Sequence, residues 1–182
     1  MLLEPWKIEL SHFESPLGDI VLAFSDGGLC ALQFDQGPAQ VRARLERSYP
    51  RAGFGKGIGT AEVAAKLIAY FSGALQELET VPVAPKGTPF QQRVWTALRA
   101  IPVGQTRSYL QIAKAIGSPS AVRAVGAANG QNPIAVVVPC HRVIASDGTL
   151  CGYGGGLWRK EWLLEHERLD QAAPRSAAMA ER

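Results

Sequence analysis

Cys140 and His141 stand side by side in Pro139-Cys140-His141-Arg142, and this is where the chain has the residue types for nucleophilic chemistry. The thiolate is the reactive form of cysteine. Apolar surroundings raise a thiol pKa, and an adjacent imidazole can take the proton and restore the nucleophile. The run Ile134-Ala135-Val136-Val137-Val138 predicts a buried segment leading into the pair. Pro139 lacks an N–H and cannot continue sheet pairing, so Cys140 is expected on a stiff turn. By itself such a pair is more often a buried cysteine beside a satisfied histidine. Downstream, Gly152-Tyr153-Gly154-Gly155-Gly156 offers backbone that a ligand can approach closely. An amphipathic helix is then expected from Trp158 to about Leu169.

The elements that must position these groups are legible from residue 88 onward. Thr88 followed by Pro89 reads as an N-cap and first helical residue, with Phe90, Val94, Trp95 and Leu98 on one face. Ser108 caps a second helix carrying Ile112, Ala113 and Ile116, ended by Gly117. Ser118 and Pro119 open a third, from Ser120 to about Ala128. Two short helices joined by a tight Gly-Ser turn predict a helix-turn-helix. Val122 and Val125 face inward, leaving Ser120, Arg123, Ala124 and Ala127 outward. That face is small with one long cation. It suits close contact with a groove wall and insertion of a single Arg, and equally a helix-helix contact.

Residues 8–34 read as antiparallel strands, with turns at Ser15-Pro16-Leu17-Gly18 and Ser25-Asp26-Gly27-Gly28. Residues 39–48 read as a solvated helix, 53–59 as a glycine-rich connector, and Thr60 as the cap of a helix bearing Val63, Leu67 and Phe71. Tyr70 is expected in its core or at its edge. The prolines of residues 81–89 predict a boundary. The expected class is α+β: a small N-terminal antiparallel-sheet/helix domain (1–85), a mostly helical C-terminal winged helix-turn-helix-like domain (86–170) and a flexible tail (171–182).

Composition narrows the function. Residues 1–85 carry a net charge of −3 and residues 86–182 of +6. The asymmetry is compatible with a polyanionic partner and with an ordinary solvated surface. No apolar run reaches 18 residues and the first residues lack a signal-peptide order, so a cytoplasmic protein with no membrane partner is expected. Three cysteines without paired spacing argue against a disulfide framework and for a reducing compartment. Cys30 reads as a small buried hydrophobe. His12 and His166 share no metal-ligand spacing with any cysteine, so no metal and no cofactor are expected.

The sequence from Asn132 to Ile144, with Gly152-Tyr153-Gly154-Gly155-Gly156-Leu157 and Lys160-Glu161-Trp162-Leu163-Leu164, resembles the O6-alkylguanine-DNA alkyltransferase family. The resemblance runs from about Thr88 to Leu169 and rests before that on element order, implying an RNase H-like N-terminal domain. It implies a monomeric, single-turnover repair protein that flips O6-alkylguanine out of double-stranded DNA and moves the alkyl group irreversibly to Cys140. Whether O4-alkylthymine is also a substrate is left open. It also implies the roles. His141 accepts the thiol proton, directly or through a water, and Glu167 supports His141. Tyr109 donates to the departing guanine, and Asn132 ties the recognition helix to the active segment. The backbone of Cys140, Val143 and Gly154 meets the base edge beside Tyr153. Arg123 fills the gap left by the extruded nucleotide, and Ser120, Ala124 and Ala127 line the minor groove. Gly154 stands where many relatives carry a hydroxyl, so only a main-chain contact carries over. A regulator without chemistry and a cysteine hydrolase are the competing readings, and Cys140 within Pro-Cys-His-Arg argues against the first.

Overall fold

The computed structural model describes residues 7–34, 37–55, 57 and 59–172. The first six residues, read above as lacking a signal peptide, and residues 173–182 of the expected tail lie outside them. The expected helix from Trp158 runs from Leu157 to Ala172, into the first two tail residues.

Strands β1 (Lys7–Ser15), β2 (Gly18–Ser25) and β3 (Gly28–Phe34) form the antiparallel meander expected from the two turns. The turns require glycine: Gly18 and Gly28 sit at φ +98° and +126°, where a Cβ is strained. At Gly28 a Cβ would also meet the Pro82 carbonyl. Helix α1 spans Pro38–Ser48. The glycine-rich connector is not wholly irregular: Gly53–Gly55 forms β4, which pairs in parallel with Lys7–Glu9 and completes the order β3-β2-β1-β4. Helix α2 runs from Gly59 to Phe71. Thr60 lies inside it instead of capping it. The carboxylate of Glu9 on β1 accepts from the Gly59 and Thr60 N–H groups at 2.9 and 3.4 Å. A side chain far away in sequence thus satisfies the helix start and favours its positive end.

Helix α3 (Pro89–Arg99) begins as expected, with a reciprocal capping box between Thr88 and Gln91. A two-residue strand β5 (Arg107–Ser108) leads into α4 (Tyr109–Ala115), which starts with the same device, Ser108 with Gln111. Gly117 turns the chain at φ +70°. Helix α5 starts later than expected, spanning Val122–Gly130 with Ala121 at its N-cap and no side-chain cap. Ser118 instead accepts the Ala121 N–H through its carbonyl, in a turn. Pro119 explains the shift, because Ser118 before it is pushed out of helical geometry. Ser120 is therefore exposed in the turn preceding the recognition helix.

The apolar run is buried but forms no extended strand. Only Ile134 bridges to Leu32, after which the chain folds tightly on itself. Val136 sits at φ +67°, closed by a Val137 N–H to Ala135 carbonyl bond of 2.8 Å. A β-branched residue there costs about 1–3 kcal/mol and persists only where surrounding contacts over-determine it. Cys140–Arg142 makes a single 3₁₀ turn, then β6 (Val143–Ile144) pairs in parallel with β5. Helix α6 (Leu157–Ala172) closes the chain. One apolar cluster runs from the β-sheet and α2 through α3, α4 and α5 to Cys140 and Leu163. The described helices include none long and apolar enough to cross a membrane.

Candidate active site

Cys140 is 6% exposed and sits at the start of the 3₁₀ turn. Its backbone N–H bonds the Val138 carbonyl at 2.8 Å, so the thiol is held by its own main chain. Asn132, two residues after α5, locks the same loop from the other side. Its Nδ2 donates to the Val138 carbonyl at 2.8 Å and the Ile134 carbonyl at 3.3 Å, and its Oδ1 accepts the Ile134 N–H at 3.0 Å. One side chain thus closes the loop from residue 132 to residue 138. Burial pushes the Cys140 thiol pKa up, and the Asn132 side chain and the Lys160 ammonium oppose that push. At neutral pH the group rests as a thiol and needs a base.

His141 is fully buried. Its Nε2 lies 2.8 Å from Glu167 Oε1, which assigns the proton to Nε2 and leaves Nδ1 as the acceptor. Nδ1 has no hydrogen-bond partner among the described residues. Burial holds the His141 pKa down, with Glu167 opposing it, so the ring is neutral at pH 7 and able to accept a proton. The His141 backbone N–H reaches the Cys140 thiol, whereas no hydrogen bond joins the thiol to the His141 ring among the described residues. Glu167 is 1% exposed, more deeply buried than its place near a helix end suggests. Burial alone would push its carboxyl pKa up, but His141 and the Arg142 guanidinium hold it well below the usual carboxylate range.

Three supporting residues carried no role in the sequence reading. Arg142 grips Glu167 through two bonds, Nε to Oε2 at 2.8 Å and Nη2 to Oε1 at 2.9 Å, and spends Nη1 on the Ile101 carbonyl. Tyr70, from α2, donates its hydroxyl to Glu167 Oε1 at 2.9 Å. Lys160 is fully buried, its Nζ donating to the carbonyls of Val143 at 2.6 Å and Cys151 at 2.9 Å. Arg142 stood in the motif, but its partner is 25 residues away in sequence, and Tyr70 carried no signal separating it from a packing aromatic.

The remaining expected residues do not gather in one place. Tyr153 and Gly154 line a cleft of about 190 Å³ together with Cys140, Asn132, Ala135 and Asn129. The Tyr153 hydroxyl is buried without a hydrogen-bond partner among the described residues. Val143 is fully buried and does not line this cleft. Tyr109 starts α4, directly after Ser108, which the β5–β6 pairing sets opposite Ile144. Burial pushes the Tyr109 pKa up, and the nearby Cys151 and Cys140 add to the shift. Gly126 of α5 faces the Tyr109 ring, a Cβ there falling 3.8 Å from its Cδ1. Arg123, Ala124 and Ala127 are exposed together on α5, with Val125 and Ala128 buried on the opposite face. A larger groove of about 830 Å³ opens elsewhere, between Tyr49, Val83 and Gln92, and holds none of these residues.

Fold and site together define a helix-turn-helix protein built around a buried cysteine beside a buried histidine. Residues 89–169 match the family described as 6-O-methylguanine DNA methyltransferase, DNA binding domain, and residues 10–85 match its ribonuclease-like domain. The methylated-DNA–protein-cysteine methyltransferase of Salmonella typhimurium is 47% identical over 156 residues, covering 84% of this chain and 91% of that protein. The one from Mycolicibacterium paratuberculosis is 48% identical over 162 residues, covering 88% and 93%. Among solved structures, the O6-methylguanine methyltransferase of Mycobacterium tuberculosis superposes with a TM-score of 0.75 at 42% identity, covering 93% of this chain and 96% of that one. The structure of Mycobacterium tuberculosis OGT in complex with DNA gives 0.74 at 43%, covering 88% and 93%. This chain belongs to the 6-O-methylguanine DNA methyltransferase family.

Proposed function

We propose that this protein repairs DNA by extruding O6-alkylguanine from the duplex and transferring the alkyl group irreversibly to Cys140. The observation that carries the reading is a buried thiol beside a neutral histidine whose second nitrogen is fixed by an ionised carboxylate. An alkyl carbon on O6 is a soft electrophile buried in the base stack, so the reaction needs a soft nucleophile and a flipped base. The outward face of α5 enters the minor groove, where Ala124 and Ala127 permit close approach and Arg123 occupies the space the base leaves. Ser120 meets the backbone from the preceding turn.

In the transfer step, His141 Nδ1 takes the thiol proton through a bridging water. Glu167 stabilises the resulting imidazolium without itself taking a proton, and Lys160 favours the thiolate. The Sγ–C bond forms as the C–O6 bond breaks, the electron pair leaving on the guanine oxygen. Tyr109 donates a proton to the guanine as that charge develops. Backbone groups of Cys140, Val143 and Gly154, with Tyr153, hold the base edge. The thioether does not release its alkyl group to water, so each molecule acts once.

The work divides between a C-terminal unit, residues 86–170, that binds DNA and carries the transfer, and an N-terminal unit, residues 1–85, that buttresses it. The protein acts as a monomer in the cytoplasm, where reducing conditions keep Cys140 free. The test is incubation with a duplex bearing one O6-methylguanine. One methyl group per protein molecule on the Cys140 peptide, with no further turnover, is the expected result; multiple turnover or an unmodified Cys140 rejects the reading.

A further inference from the structure

We infer that Tyr70, on the N-terminal helix α2, is a positioning residue for the alkyl-transfer relay, its hydroxyl bond to Glu167 holding that carboxylate and lowering the charge His141 feels. The inference rests on the proposed alkyl transfer and assigns the N-terminal part of the chain a share in it.

Tyr70 is 1% exposed, and its hydroxyl reaches Glu167 Oε1 at 2.9 Å, the same oxygen that faces His141 Nε2 at 2.8 Å. The backbone of Tyr70 grips α6 as well: its carbonyl lies 2.9 Å from His166 Nε2. The Tyr70 and His166 rings pack edge to face with centroids 5.2 Å apart, and His166 stacks on Trp162 at 4.8 Å. Two consecutive residues of α6, His166 and Glu167, are therefore both held by the single residue Tyr70. The His166 bond is made by the main chain, so phenylalanine would keep it together with the ring contacts and lose only the hydroxyl bond to Glu167.

The electrical consequence has a definite sign. The groups facing Glu167 are His141 and Arg142 from the 3₁₀ turn and Tyr70 from α2. Tyr153 also acts on Glu167, Lys160 acts on His141, and Cys140 completes the cluster. A hydroxyl donating to a carboxylate spreads and partly neutralises its charge. That charge is what raises the basicity of His141 against burial. Removing the hydroxyl leaves a more strongly negative Glu167 beside the imidazole. His141 then protonates at higher pH and is lost as a base sooner as pH falls.

The test is the single-turnover transfer rate to the full-length protein, measured across pH with saturating duplex bearing O6-methylguanine, for wild type, Tyr70→Phe and His166→Gln. Tyr70→Phe is expected to move the acidic limb of the profile up by about half to one pH unit, slowing transfer on that limb on the order of three- to tenfold. Replacing Tyr70 by 3-fluorotyrosine, whose hydroxyl is a stronger donor of similar size, is expected to move the limb down. His166→Gln disturbs the packing but leaves the hydroxyl bond, and is expected to lower the melting temperature with the limb in place. A Tyr70→Phe variant that loses only melting temperature, or whose limb moves no more than that of His166→Gln, overturns the inference. Because all variants retain Cys140, methyl transfer to it by the wild type tests the proposed function separately.

Discussion

Arg142 and Glu167 form a buried two-point ion pair, Nε to Oε2 at 2.8 Å and Nη2 to Oε1 at 2.9 Å, directly behind the imidazole of His141. The guanidinium fork fixes the plane of the carboxylate, and that plane decides whether Oε1 can also face Nε2. The pair thus orients Glu167 toward His141 as well as neutralising a buried charge.

Removing one partner of that pair leaves the other charge buried and uncompensated. Arg142→Ala is expected to cost about 3–5 kcal/mol of folding stability. Arg142→Lys, which keeps the charge and loses the fork, should recover only part of it. Chemical denaturation of the three proteins measures this, and an Arg142→Lys variant as stable as wild type would show that the fork is dispensable.

Acid should reveal the same group. The folded pKa of Glu167 is depressed, so its stabilising contribution is fully present above the unfolded value of about 4.3 and is lost as pH falls toward the folded one. His141 is held neutral when folded, so it contributes a second loss as pH drops below about 6.5, where the unfolded chain binds a proton that the folded chain resists. The stability gap between wild type and Glu167→Gln is expected to narrow below about pH 4, where the unfolded carboxyl binds its proton. Urea midpoints across that range check it, and a gap that keeps widening below about pH 4 would contradict the assignment.

His141→Ala is expected to slow alkyl transfer by about 10²–10⁴-fold at pH 7, the usual share of a positioned base. Because burial pushes the Cys140 thiol up, unaided thiolate appears only at alkaline pH, and the variant should regain part of its rate as pH rises. Single-turnover kinetics from neutral to alkaline pH decide this. A His141→Ala defect of constant size across the range would remove the histidine from proton transfer.

Among the three cysteines, only Cys140 should carry the alkyl group. Cys30 is 3% exposed on β3 and burial pushes its pKa up to about 11, which makes it inert. Peptide mass analysis after reaction is expected to find modified Cys140 with unmodified Cys30 and Cys151, and Cys140→Ser to find none.

Arg123 is exposed on α5 beside Ala124 and Ala127, and it is the long side chain of that face. Arg123→Ala should weaken repair of duplex DNA far more than reaction with free O6-benzylguanine, which needs no extrusion. If saturating DNA restores the duplex rate, Arg123 is instead a phosphate contact, worth about one unit of salt slope.

Whatever depends on neighbours along the chain was legible in the residues alone. Thr88 with Gln91 and Ser108 with Gln111 cap their helices as read, because a capping box closes within one turn. The two β-turns, Gly117 and the proline stop before Cys140 are equally local, and the Pro-Cys-His-Arg motif placed thiol and base together without any fold. Where a contact is long-range, only the tertiary structure decided. Glu9 caps α2 from 50 residues away, and β4 exists because β1 offers it an unpaired edge. The late start of α5 was locally encoded, in Pro119, but misread. The cysteine loop is held in an unfavourable turn at Val136 by Asn132, and no propensity of valine forecasts that. Above all, Tyr70, Arg142 and Lys160 gain their roles from partners on other elements: a buried charge or hydroxyl must be satisfied in three dimensions, and its partner can come from any part of the chain that packing brings within 3 Å or so.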